Sequence, residues 1–231
     1  MNFYSAWAAT RRNNVDDFEF FKEFFNKTAK TLEPLECLDT ECTIEIIRFL
    51  LSIPMDDFIK NILKMEAQGF KTEDVVQFSN FKHAYNELPS LLLYETHPLG
   101  FNEIGGMIMH CKNEVACKKY GENHSKLAYE MGFVSLSRKG KVYVELTSFG
   151  RVVASINSED KYKLAMRMLT RNILVRNIIL LSAKDMVSYE NLTKTILSQS
   201  TMERRKSNVR KVVEQIIEES NYKYLISNII W

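Results

Sequence analysis

The chain has 231 residues, 45% hydrophobic and 26% charged, with a formal net charge of +2. That composition is globular, and the length suits two small domains, or one domain with an appendage, able to bury a core without staples. Only 8 Gly and 4 Pro are present, which argues against a turn-rich β-sandwich and for a mainly α fold.

The opening stretch, Met1 to Trp7, has no basic flank followed by an apolar run, so it does not read as a secretory signal. Residues 15–30 predict a helix whose face of Phe18, Phe20, Phe21, Phe24 and Phe25 belongs in a core. Glu33-Pro34-Leu35 breaks that pattern. A second helix is expected from Thr43 to Leu51, stopping near Pro54. A third is expected to be capped by Asp56 or Asp57 and to run to about Gln68, with Gly69 closing it. A fourth begins near Thr72, and residues 80–95 are again helical up to His97-Pro98. Phe101 to Met109 is short and apolar on one side, and a polar link leads to a longer helix ending near Met131-Gly132.

There the period changes. Phe133 to Ser137 and Lys141 to Leu146 alternate with period two around Arg138-Lys139-Gly140, predicting a β-hairpin with a basic tip. Thr147 to Gly150 returns the chain to helix. Helix, short helix, helix, hairpin is the order of a winged helix. From Ser158 the order recurs in outline. Helices are expected over Glu159–Arg171, Asn172–Ser182 and Tyr189–Ser198, then a long one from Thr201 to about Glu219, and a strand-like tail over 222–231 that forms a minimal wing. The expected organisation is an acidic helical N-terminal region (1–78), a first winged-helix unit (79–157) and a second (158–231).

Charge follows the same division. Residues 1–100 hold 10 Lys+Arg against 16 Asp+Glu, whereas the remainder holds 21 against 13. A polyanion would meet the C-terminal half. The most informative stretch is 200–211. Ser200 with Glu203 predicts a capping box. Val209, Val212, Val213, Ile216 and Ile217 mark a buried stripe, on which Met202 also falls. The opposite face collects Arg204, Ser207, Asn208 and Lys211, with Arg205 and Lys206 at the flanks. Arg pairs bidentately with guanine and Asn with adenine, while Lys and Ser hold phosphate. Arg204, Ser207 and Asn208 are therefore expected at bases, and Arg205, Lys206, Lys211 and the wing residues Arg138, Lys139 and Lys141 at phosphates. In the first unit Lys119, Asn123, His124 and Lys126, where the corresponding helix is expected to open, are the analogous candidates to face a groove or phosphates of DNA.

Residues 119–128, followed by Gly132-Phe133-Val134 and by Leu146-Thr147-Ser148-Phe149-Gly150, resemble winged-helix modules of restriction endonucleases and related phage-defence proteins. Ser200-Thr201, Arg204-Arg205 and Val209 resemble the second half of that arrangement. The likeness covers roughly residues 80–220 and leaves the acidic N-terminal third outside it. It implies tandem winged helices that read or grip double-stranded DNA, often beside a separate nuclease domain.

No complete nuclease signature accompanies it. The nearest Glu-x-Lys, Glu159-Asp160-Lys161, opens a helix rather than lining a sheet. Gly105-Gly106 lacks phosphate-loop spacing. His110, Cys111, Cys117 and His124 lack finger spacing, so neither metal nor cofactor is expected. The apolar runs fall short of a membrane span. A reducing cytoplasm is expected, with Cys37, Cys42, Cys111 and Cys117 as buried thiols. Besides DNA, a nuclease or other defence protein is an expected partner through the acidic N-terminal region. A dimeric transcription regulator and a protein-docking scaffold are the competing readings.

Overall fold

The computed structural model describes Trp7, residues 17–26, Leu35, 38–111 and 113–231, with backbone alone at Asp17, Asn26, Arg138 and Lys139. Cys37 and the break at Glu33-Pro34 lie outside these residues. The fold is mainly helical: α1 (Asp17–Asn26), α2 (Thr40–Ser52), α3 (Met55–Leu63), α4 (Leu88–Leu92), α5 (Phe101–Met109), α6 (Glu114–Glu130), α7 (Ser148–Ser155), α8 (Ser158–Met168), α9 (Ile173–Ser182), α10 (Tyr189–Thr193) and α11 (Gln199–Glu218). Strands β1 (Leu99–Gly100), β2 (Val134–Lys139) and β3 (Lys141–Leu146) form one sheet; β4 (Val187–Ser188) and β5 (Ile229–Ile230) form another.

Two compact units result, both discontinuous. Among the described residues, unit 1 comprises Trp7, Leu35, 38–51 and 78–165; unit 2 comprises 17–26, 52–77 and 166–231. The described residues before 78 are divided between the two units.

In unit 1, a helix over 81–92 contains a π-helical turn, His83–Glu87, that runs into α4. Its sheet has the order β1-β3-β2, both pairings antiparallel, with Leu99 opposite Val144 and Leu136 opposite Val144 from the other side. The hairpin turns tightly at Gly140, whose φ of 78° suits glycine. The core gathers Leu88, Leu92, Leu99, Ile104, Ala128 and Val144, among others, from helices and strands alike.

Two glycines set how closely α5 and α6 pack. A Cβ at Gly105 would lie 1.8 Å from the Cys117 carbonyl oxygen, and one at Gly121 would lie 1.9 Å from that of Phe101. Backbone contact at that distance admits no side chain. A disulfide between Cys111 and Cys117 ties the α5–α6 connection. These two cysteines were expected as thiols; the turn between the helices brings their Cα atoms to 5.7 Å, within bridging range. Cys42 is buried.

Unit 2 is built around α9, which is buried on nearly every side. The phenylalanine face of α1 packs into this core: Phe20, Phe21, Phe24 and Phe25 are all fully buried, and Phe58 of α3 sits 5.3 Å from both Phe21 and Phe25. The C-terminal carbonyls of α1 lack helical partners. Arg171 donates to the Phe24 carbonyl at 2.7 Å, and Arg176 donates to that of Phe25, so two buried guanidinium groups meet the negative end of the helix. Burial, together with Arg171, pushes the Arg176 pKa down to about 10.

The same side chains explain where the helix expectations fail. The third helix ends at Leu63 rather than Gln68. Gln68 is held instead by Asn177, which accepts from its N–H at 3.1 Å and donates to its carbonyl at 2.6 Å. Asp56 and Asp57 lie inside the first turn, after Pro54, and do not cap it. The fourth helix shrinks to a 3₁₀ turn, Thr72–Asp74, because the Asp74 carbonyl accepts from Asn172 and the Thr72 and Val75 carbonyls accept from Arg205. The tail is not a ten-residue wing strand. Lys223–Asn228 forms a 3₁₀ helix that buries Leu225, and only Ile229–Ile230 is extended, pairing in parallel with Val187–Ser188.

Candidate nucleic-acid interface

The geometry of α11 follows from its stripe. Met202, Val209, Val212, Val213, Ile216 and Ile217 are buried, as the periodicity predicts. Turning 100° per residue from that side brings Arg204, Ser207 and Lys211 outward, and all three are exposed. Asn208 and Lys206 are half-buried at its edges. Neither Arg204 nor Lys211 has an ion-pair partner among the described residues. The nearby carboxylates are engaged elsewhere: Gln199 donates to Glu203 at 2.8 Å, and Arg210 pairs with Glu214 at 2.9 Å.

Two expectations about this helix need correction. It begins at Gln199 with Ser198 as N-cap, and no Ser200–Glu203 capping box forms. The Ser198 hydroxyl donates to Thr201 Oγ1 at 3.0 Å instead. Arg205 is not a free phosphate ligand. Its Nη1 donates to the Thr72 and Val75 carbonyls, each at 3.0 Å, so it anchors the 3₁₀ turn. Burial, with Arg204 beside it, lowers its pKa. Short α10 is locked beneath α11 by buried Tyr189, whose hydroxyl donates to the Met202 carbonyl at 3.2 Å.

In unit 1, α6 starts at the N-cap Asn113, which accepts from the Ala116 N–H at 3.1 Å. Its buried side carries Cys117, Gly121, His124, Ser125 and Ala128. His124 was expected at DNA, yet it is fully buried. Its Nε2 lies 3.0 Å from the Ser79 hydroxyl and its ring 5.0 Å from that of His83. Burial, reinforced by His83, pushes its pKa down to about 4, so the imidazole is neutral at physiological pH. A basic local sequence drew attention to it; the helical phase puts it inside.

The outward side of α6 carries Val115, Lys119, Glu122 and Lys126, one helical repeat apart. Glu122 pairs with both Lys126 and Lys119. Burial would raise the Glu122 pKa, but Lys126, Lys119 and Lys118 together hold it below the usual value. Asn123 is half-buried beside this stripe. The sequence reading passes over Val115, which is 78% exposed. The signal that marks it is the spacing of the small buried residues Cys117, Gly121, Ser125 and Ala128, which puts position 115 on the outward side.

At the hairpin, Lys141 is exposed beside the turn, while the Arg138 and Lys139 side chains lie outside the described set. The Glu159-Asp160-Lys161 run is structural. Asn157 accepts from the Asp160 N–H at 2.9 Å and donates back to its carboxylate at 2.7 Å, while buried Lys161 turns away to donate to Ser90 at 2.8 Å. No group of three or more His, Cys, Asp or Glu suited to a metal occurs among the described residues. Likewise, no helix among them is long and apolar enough to cross a membrane.

Compared with known protein families, curated proteins and solved structures, the chain finds no match.

Proposed function

We propose that this chain binds double-stranded DNA, presenting α11 of unit 2 and α6 of unit 1 as recognition helices, in a restriction or phage-defence setting. The observation that carries the reading is the outward stripe of α11. An arginine, a serine and a lysine stand exposed on one side of a helix whose opposite side buries Met202, Val209, Val212, Val213, Ile216 and Ile217, with half-buried Arg205 and Lys206 between the first two. A short helix and turn precede α11, the arrangement that presents a helix N-terminus to the major groove.

Unit 1 supports the same reading through its order: helix, β1, α5, α6, then the β2–β3 hairpin with β1 beside β3. This is the order of a winged helix, with the hairpin as the wing and Lys141 at its tip. Unit 2 keeps the helix-turn-helix part and has the β4–β5 pair where a wing hairpin was expected. Arg204 and Ser207 would approach base edges, and Lys211 would hold phosphate. The defence setting rests on the sequence resemblance alone.

The test is a mobility shift with mixed-sequence duplexes at rising salt. Binding that weakens steeply with salt, and weakens further in Arg204→Ala, supports the proposal. A chain that leaves every duplex unshifted at low salt overturns it.

A further inference from the structure

We infer that Val115 reads a thymine methyl group in the major groove; the inference rests on the DNA-binding reading of α6. Val115 stands at the first turn of that helix, directly after the N-cap residue and Glu114, at 78% exposure. On the outward stripe it is the one apolar side chain, followed by Lys119, Glu122 and Lys126. A β-branched residue gains nothing for an isolated helix and here buries nothing.

Its surroundings are rigid. Asn102 donates to Glu114 at 3.0 Å, the Cys111–Cys117 disulfide crosses the connection, and the Gly105 backbone abuts Cys117. The first turn is thus held in place, and Val115 is presented without a loop to order.

What would cover such a residue must be small and apolar, with negative charge around it for Lys118 and for Lys119 and Lys126, two lysines that share the single Glu122 carboxylate. One valine among lysines is too small for a protein docking site, which is anchored by clustered large side chains. The major groove supplies both parts. The thymine 5-methyl is its apolar feature, phosphates flank it on either side, and the N-terminal end of a recognition helix is what approaches base edges.

The experiment compares an alternating A·T duplex with the same duplex carrying uracil for thymine, which differs only by the methyl groups. Binding is measured for the full chain and for Val115→Ala, whose exposed site leaves folding intact. The wild-type chain should bind the uracil duplex more weakly by about fourfold, the worth of one buried methyl, while Val115→Ala should bind both duplexes alike. Equal binding of both duplexes by the wild type, or equal discrimination by wild type and Val115→Ala, overturns this inference and leaves DNA binding standing. Failure of the wild type to bind either duplex overturns the DNA reading itself, and the inference with it.

Discussion

Acidification should weaken unit 1 through one buried side chain. The His124 imidazole is fully buried, touches the Ser79 hydroxyl at 3.0 Å and faces the His83 ring, and these surroundings lower its pKa to about 4 from 6.5. His83 in turn lies 3.4 Å from the Glu87 carboxylate. The sign follows from proton uptake. Below pH 6.5 the unfolded chain binds a proton that the folded chain refuses until about pH 4. The stabilisation from a neutral His124 is therefore complete above the unfolded pKa and is lost as pH falls toward the folded one. Between about pH 7.5 and about pH 5 the loss amounts to about 2 kcal/mol, and the full interval is worth about 3 kcal/mol. Other groups titrate over the same range, so the comparison is with His124→Gln, which stays neutral throughout. With Trp231 replaced by Phe, the buried Trp7, packed 5.2 Å from Phe49, reports on unit 1 by fluorescence during urea unfolding. The wild-type chain should lose about 2 kcal/mol more than His124→Gln over that interval. Equal losses in the two proteins would refute the reasoning, because the imidazole would then have found solvent or a counter-charge.

Glycine substitutions should separate by position: Gly105→Ala and Gly121→Ala each force a Cβ within 2 Å of backbone oxygen and should cost roughly 2 kcal/mol or more in thermal unfolding. Gly106→Ala meets open space and should stabilise by roughly 0.5–1 kcal/mol. Arg205→Ala strands two carbonyls and should destabilise unit 2 by about 1–2 kcal/mol, read from urea curves at Trp231 in a Trp7→Phe background, whereas Arg204→Ala should stay within about 0.5 kcal/mol. Alkylation of the unfolded chain without reductant should modify Cys42 and spare Cys111 and Cys117. Breaking that bridge by Cys111→Ser should cost about 2 kcal/mol from loop closure.

Apolar periodicity made the strongest elements legible in the sequence. The α11 stripe from Met202 to Ile217, the hairpin around Gly140 and the phenylalanine core of α1 all stand where the spacing places them. Each of these depends on local pattern alone. What stayed hidden depends on distant side chains. The expected helices over 64–68 and from Thr72 had reasonable local sequence, but Asn177, Asn172 and Arg205, all from far along the chain, take their backbone groups. The same long-range bonds removed Arg205 from the candidate contacts. His124 was misjudged for a different reason. On α6 the buried side is built mostly from small or polar residues, Cys117, Gly121, Ser125 and Ala128, with Leu127 its one large aliphatic, so the helix carries little hydrophobic signal to set its phase. The disulfide was hidden because spacing gave no sign that the α5–α6 turn would bring Cys111 and Cys117 together.

The central claim is that the exposed stripe of α11 meets phosphates and bases. The direct measurement is the slope of log affinity against log salt for a labelled duplex, compared between the wild-type chain and Lys211→Ala. The account predicts a steep negative slope that becomes shallower by about 0.9 when this one phosphate contact is removed. An unchanged slope and affinity in Lys211→Ala and in Arg204→Ala, with the wild-type chain still bound to DNA, would contradict it, because the duplex would then lie on some other surface.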